Sequence, residues 1–240
     1  MKTIDCVSII VPVFNEEDSL GALLGEIEAA MGRLGKAWEV VFVDDGSTDG
    51  SLSVLRALAK GKPHVRYIAF ARNCGQSAAF KAGFEAAAGD ALVTMDADLQ
   101  NDPRDIEVML GLYESGYDMV IGWRACRRDT WAKRWGSRVA NRVRNRLTRE
   151  SVRDTGCSLK VMDAAMARRV PMFTGMHRFL PTLLKLQGAR VAELAVNHRP
   201  RRFGLSKYGN WERLKAGLGD LVAVRWMQSR WFNYEIKESK

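Results

Sequence analysis

Short apolar runs alternate with longer amphipathic stretches along the first 122 residues. Residues 7–13 (VSIIVPV) form a β-branched run that predicts a buried strand, and residues 17–34 follow with apolar positions at helical spacing. The alternation then repeats. A strand at 39–43 leads through an Asp/Gly/Ser turn into a helix ending near residue 60. A strand at 65–70 precedes an alanine-rich helix at 76–87, and a strand at 91–95 runs straight into DADLQ. Pro103 stands where a first helical turn tolerates proline, so a helix is expected to about residue 115, with a further strand at 118–122. Farther along, the pattern predicts a strand at 158–162, helices near 164–170 and 178–186, and a strand at 191–197. After the loop HRPRRFGLSKYG, a C-terminal helix starts at about residue 211. Strands and helices in this rotation predict an α/β fold whose mostly parallel sheet is flanked by helices. No repeat or low-complexity linker divides residues 1–240, so one domain in parts is expected: 1–122, 123–209 and a helical 210–240.

Charge changes the picture after residue 122. The chain carries a formal net charge of +9, and residues 124–153 hold eleven Lys or Arg against Asp129 and Glu150 alone. Such a balance calls for an anionic partner: a phosphorylated ligand, nucleic acid or an acidic membrane face. Trp131, Trp135, Val139, Val143 and Leu147 recur every four residues, and Arg134, Arg138, Arg142 and Arg146 form a second ridge one position behind. On a helix, tryptophan beside arginine is the make-up of an interfacial membrane helix, apolar side in lipid and guanidinium groups at phosphates. The other reading is a core-facing helix with a solvated basic side. No nucleic-acid-binding module accompanies the run, so nucleic acid is not an expected partner.

Composition otherwise describes a folded soluble chain, 47% hydrophobic and 27% charged. Cys6, Cys74, Cys126 and Cys157 are scattered, which argues against zinc and for reduced thiols in the cytoplasm. The N-terminal apolar run turns acidic after about seven residues, unlike a signal peptide. No uncharged stretch reaches the roughly 20 residues that a bilayer span needs. The nearest, 214–226, is broken by Lys215, Asp220 and Arg225.

Candidate chemistry gathers at the strand ends, where open parallel sheets bind ligands. Asn15-Glu16 follows the first strand, Asp44-Asp45-Gly46-Ser47 the second and Asp96-Ala97-Asp98 the fourth. Any one cluster reads equally as a cap or turn; three at successive strand ends describe an acidic, metal-ready crevice. Asp96 and Asp98 can face one hard cation, with Gln100 adding a neutral oxygen, and Mg²⁺ or Mn²⁺ suits such ligands. Two strings mislead. Residues 45–50 imitate a calcium loop but place Arg56 where the twelfth-position glutamate belongs, and Gln228-Ser229-Arg230-Trp231 is one residue short of QxxRW.

In order along the chain, SIIVPVFNEE, VFVDDGSTDGS, ARNCGQSAAFKAGFEAAAGD, TMDADLQNDP, DTGCSLKV and RFGLSKYG cover most of residues 7–209. Together they resemble the family-2 inverting glycosyltransferases of GT-A fold, with its Rossmann-like sheet. The likeness is greatest to the branch of dolichol-phosphate mannose synthases and bacterial polyprenyl-phosphate glycosyltransferases. The resemblance implies that Pro12, Glu16 and Asp44 line the nucleoside pocket of a nucleotide-sugar donor. It implies that Asp96, Asp98 and Gln100 hold the metal and diphosphate, with Arg202 and Lys207 closing over phosphates. Arg124, Arg134 and Ser137 would hold the acceptor phosphate, Asp98 and Arg124 being central to catalysis. One departure is Gln76-Ser77-Ala78, where many relatives carry Lys-Gly/Ala-Gly/Ala, which leaves the donor contacts there open.

The expected reaction is a direct, inverting displacement that passes a hexose-type sugar from GDP-mannose, UDP-glucose or a UDP-N-acetylhexosamine to polyprenyl or dolichyl phosphate. A phosphate monoester is largely ionised near neutral pH, its second pKa lying near about 6, so it needs positioning more than a general base. A saccharide acceptor would need a dedicated carboxylate base, and none stands out beyond the metal cluster. A noncatalytic nucleotide-sugar-binding subunit is the reading from another class, opposed by the intact DADLQ. The chain is expected on the cytoplasmic face of a membrane, peripherally or with a membrane partner protein. Many relatives continue into transmembrane helices, so a shortened form of a longer chain is the third possibility.

Overall fold

The computed structural model describes residues 2–125, 142, 145–148, 151–171, 173–200, 210–232 and 237–238. Its centre is a seven-stranded sheet built from β1 (Cys6–Val13), β2 (Ala37–Asp44), β3 (Val65–Ala69), β4 (Ala91–Thr94), β5 (Met119–Arg124), β6 (Lys160–Asp163) and β7 (Val191–Val196). The order across the sheet is β3-β2-β1-β4-β6-β5-β7. All neighbouring pairs are parallel except those of β6, which runs antiparallel between β4 and β5.

The helices follow the expected rotation: α1 (Glu17–Met31), α2 (Ser51–Ala59), α3 (Gln76–Ala86), α4 (Asp105–Glu114), α5 (Ala164–Arg168), α6 (Leu180–Leu186) and α7 (Asn210–Arg230). The β-branched strands are buried on both faces, as central parallel strands are. In β1, Val7, Ile9, Val11 and Val13 enter a core with α1 and α4, whereas Ile10 enters the opposite core with Phe80 and Phe84 of α3. The second core also takes Leu221 and Val224 of α7, so the C-terminal helix is seated on the domain by its inner side.

Two features of this topology place the site. The chain winds outward from β1 through β2 to β3 on one side, then returns to add β4 on the other. That reversal opens a crevice beyond the carboxyl ends of β1, β2 and β4. The antiparallel β6 then brings its first residue, Lys160, into register with Thr94 of β4 and Ile121 of β5. A side chain from the far half of the sequence thereby meets the end of the DAD strand.

Candidate functional site

The loops after β1 and β2 are stitched to each other. Asn15, at φ 53°, accepts from the backbone N–H of Thr48 at 2.8 Å and donates its own N–H to Ser47 Oγ at 2.9 Å. Glu17 Oε2 accepts from the Gly50 N–H at 2.7 Å, and Ser51 Oγ accepts from the Glu16 N–H at 2.9 Å. The crevice wall is therefore held by side chain to backbone bonds that no single motif contains.

Asp44 and Asp45, adjacent in sequence, have separate jobs. Asp44 ends β2, is buried, and accepts the Ser47 N–H at 3.2 Å, which holds the turn. Asp45 turns toward the next loop and accepts from the N–H groups of Cys74 at 2.6 Å and Gly75 at 2.9 Å, and from Asn73 Nδ2 at 3.0 Å. Burial pushes its carboxyl up, and these donors oppose the shift. Gly46 between turn and loop is at φ +69°, and a Cβ there would lie 2.4 Å from the Arg72 backbone carbon. Only glycine fits so close a crossing.

The sequence DADLQ continues from β4 into a turn whose Leu99 is at φ 61°, a left-handed position rarely taken by a branched aliphatic residue. Asp98 is buried, and its Oδ1 accepts the Gln100 N–H at 3.1 Å. Gln100 in turn donates from Nε2 to the Arg199 carbonyl at 3.3 Å, while the Arg199 N–H donates to the Gln100 carbonyl at 2.9 Å. Burial first, and then the charge of Asp98, pushes the Asp96 carboxyl up. A carboxylate raised by burial beside a second one is a donor that a hard divalent cation relieves. No group of three or more His, Cys, Asp or Glu gathers for a metal among the described residues. The protein thus offers two carboxylates and a nearby glutamine, leaving positions for water and phosphate oxygens, as magnesium-type sites do.

Next to this pair lies a second charged cluster. Arg124 ends β5 and meets Asp154 in a two-pronged ion pair, Nε to Oδ2 at 2.7 Å and Nη2 to Oδ1 at 2.9 Å. Lys160 is buried, donates to the Cys157 carbonyl, and lies in the electrostatic reach of Asp96 and Asp154. Burial pulls its pKa down and those carboxylates oppose the pull. The Asp96–Asp98 carboxylates and the Arg124 guanidinium are therefore neighbours across β6. Neither Asp154 nor Lys160 stands out in the string DTGCSLKV; only the antiparallel return of β6 brings them to Arg124 and Asp96.

The expected site residues divide cleanly. Pro12, Glu16 and Asp44 stand together at the β1 and β2 ends, Pro12 in register with Val43. Asp96, Asp98, Gln100 and Arg124 stand at the β4 and β5 ends. Arg134, Ser137, Arg202 and Lys207 lie outside the described residues, as does nearly all of the 131–147 ridge. From that ridge Arg142, Arg146 and Leu147 are described, and all three are exposed.

Residues 8–172 match the model of the family described as glycosyl transferase family 2. A dodecaprenyl-phosphate galacturonate synthase of Rhizobium johnstonii is 39% identical over 223 residues, covering 91% of this chain and 66% of that protein. An undecaprenyl-phosphate 4-deoxy-4-formamido-L-arabinose transferase of Edwardsiella ictaluri is 40% identical over 210 residues, covering 87% of this chain and 64% of that protein. The chain thus spans just under two thirds of the length of these relatives. Among solved structures, a glucosyl-3-phosphoglycerate synthase from Mycobacterium tuberculosis, in complex with Mn²⁺, uridine diphosphate and phosphoglyceric acid, superposes with a TM-score of 0.71. It is 18% identical, with 95% of this chain and 80% of that one covered, a likeness of fold.

Proposed function

The chain belongs to glycosyl transferase family 2, and on that premise we propose that it transfers a sugar from a nucleotide-sugar donor to a polyprenyl phosphate at a membrane surface. The observation that carries this reading is the juxtaposition of the Asp96–Asp98 pair with the Arg124–Asp154 pair across β6. One cluster suits a diphosphate bound through a cation; the other suits an anionic acceptor. The names of the relatives support the lipid-phosphate class.

In this reading Pro12, Glu16 and Asp44 receive the nucleoside, and Asp96 and Asp98 hold Mg²⁺ or Mn²⁺ with Gln100 beside them. The cation, when bound, neutralises charge on the departing diphosphate. Arg202 and Lys207 add positive charge to the same phosphates. Arg124, oriented by Asp154, aims the acceptor phosphate at the anomeric carbon, with Arg134 and Ser137 assisting. Direct displacement by an already ionised phosphate oxygen inverts the anomeric centre and requires no base. Asp154 is a carboxylate beside Arg124, but its two-pronged ion pair with that guanidinium makes it a positioning group rather than a base for a hydroxyl acceptor. The sugar is best sought beyond GDP-mannose, UDP-glucose and UDP-N-acetylhexosamines, since one relative is named for galacturonate and another for a formamido-arabinose. Labelled nucleotide sugars of all these kinds, offered with a short polyprenyl phosphate and Mn²⁺, test the proposal: one of them labels the lipid, and none doing so would contradict it.

The membrane side of the proposal rests on the outer face of α7. No helix among the described residues is long and apolar enough to cross a membrane. Yet Val222 is 72% exposed, Trp226 62% and, just past the helix, Phe232 77%. Gln228, on the inner side of α7 with Leu221 and Val224, donates from Nε2 to the Thr148 carbonyl at 2.7 Å, which places the helix next to the end of the basic segment, where Arg146 and Leu147 are exposed. Apolar groups ringed by arginine fit an anionic bilayer on the cytoplasmic face. Trp226→Glu with Phe232→Glu should weaken binding to anionic vesicles by about tenfold or more, with thermal stability retained. Unchanged vesicle binding, or equal binding by wild type to neutral and anionic vesicles, would show that this face meets something other than lipid.

A further inference from the structure

The start of α3 is fixed from both sides. Upstream, the Asp45 carboxylate takes the N–H groups of Cys74 at 2.6 Å and Gly75 at 2.9 Å, which holds Gly75 at φ +91°. Downstream, Ser77 Oγ accepts the Gly175 N–H at 3.0 Å and shares a hydrogen bond with His177 Nδ1 at 2.9 Å. Between these two anchors Gln76 extends its amide to the crevice, where Nε2 donates to Asp96 Oδ1 at 2.9 Å. A side chain placed with this much support, ending on one carboxylate oxygen, goes beyond ordinary helix-start packing.

We infer that Gln76 is a positioning residue that orients Asp96 for the divalent cation, and that its neutrality is part of the role. This rests on the metal reading proposed above for Asp96 and Asp98. An amide donor fixes one oxygen of the carboxylate and leaves the full negative charge for the cation. A lysine at the same place would bring an ammonium to Asp96 as a counter-ion and compete with the metal. Partners of metal-binding carboxylates commonly change metal affinity by 10–100-fold when removed. Gln76 is therefore the point at which this chain sets the affinity of its acidic pair, and Asp45 and Ser77 serve it by fixing the backbone that carries it.

Titration of Mn²⁺ alone into the protein, followed by electron paramagnetic resonance of the free ion, reads this without any turnover. Gln76→Met keeps length and bulk and removes the donor; Gln76→Ala repeats the removal with a smaller group. Each should raise the dissociation constant for Mn²⁺ by about 10–100-fold with an unchanged unfolding temperature. Gln76→Lys should weaken it at least as much. If Gln76→Met and Gln76→Ala bind Mn²⁺ within about twofold of wild type while Asp96→Asn does not bind it, the inference is wrong and the metal reading stands. If Asp96→Asn binds like wild type, the metal reading itself has failed.

Discussion

Asp98→Asn should lower sugar transfer by about 10³-fold, equivalent to about 4 kcal/mol of transition-state stabilisation, in a protein that still folds. The two halves of that expectation have separate causes. The amide keeps an oxygen able to accept the Gln100 N–H that Asp98 Oδ1 takes at 3.1 Å, so the turn survives. It also removes a negative charge that raises the neighbouring Asp96, so the metal-free protein should be as stable as wild type or slightly more so. What is lost is one of two anionic ligands for the cation. Treatment of wild type with EDTA should reproduce the loss, and Mg²⁺ or Mn²⁺ should reverse it. Steady-state transfer and thermal unfolding, measured on the same preparation, check both halves. Wild-type turnover in EDTA would overturn the metal role.

Arg124→Lys should reduce the specificity constant for the lipid phosphate by about 10²-fold while nucleotide binding is nearly unchanged. Lysine keeps the positive charge but not the fork that engages both oxygens of Asp154 at 2.7 and 2.9 Å. Asp154→Asn attacks the same pair from the other side and should give a loss of similar size through misplacement of the guanidinium. The double variant should be little worse than either single one, because both changes break one unit. Acceptor kinetics of the three variants, with calorimetric binding of the nucleotide diphosphate as the control, read out the difference. Full acceptor efficiency in Arg124→Lys would mean that the guanidinium never meets the acceptor.

Much of this architecture was legible because the chain advertises it. The β-branched runs of β1 and β2 and the helical spacing between them predicted those elements to within a few residues, since central parallel strands leave little choice of composition. The crevice followed from the acidic residues at three strand ends. The direction of β6 was not legible: a four-residue strand whose apolar part is Val161 and Met162 alone pairs equally well either way, and the chain reaches it through the basic segment. With that direction unread, Asp154 and Lys160 looked like ordinary loop and strand residues rather than neighbours of Arg124 and Asp96. Asp44 and Asp45 show the same limit at shorter range. Adjacent carboxylates looked like one cluster, and only the course of the 73–75 loop separates turn from anchor. Gln76 appeared in the sequence as a departure from pattern; its contact with Asp96 gives the departure a physical meaning. Trp226 shows the limit on a helix surface: the sequence does not say which side it takes, and it is exposed.

The most direct test of the account offers one labelled donor to two lipids of equal length, a polyprenyl phosphate and the corresponding free polyprenol. An acceptor that arrives ionised needs positioning by Arg124 and no base, whereas an alcohol needs a carboxylate free to take its proton. Label is expected in the phosphate lipid alone, through a linkage released by mild acid as sugar and lipid phosphate. Label in the alcohol, with the phosphate left untouched, would contradict it.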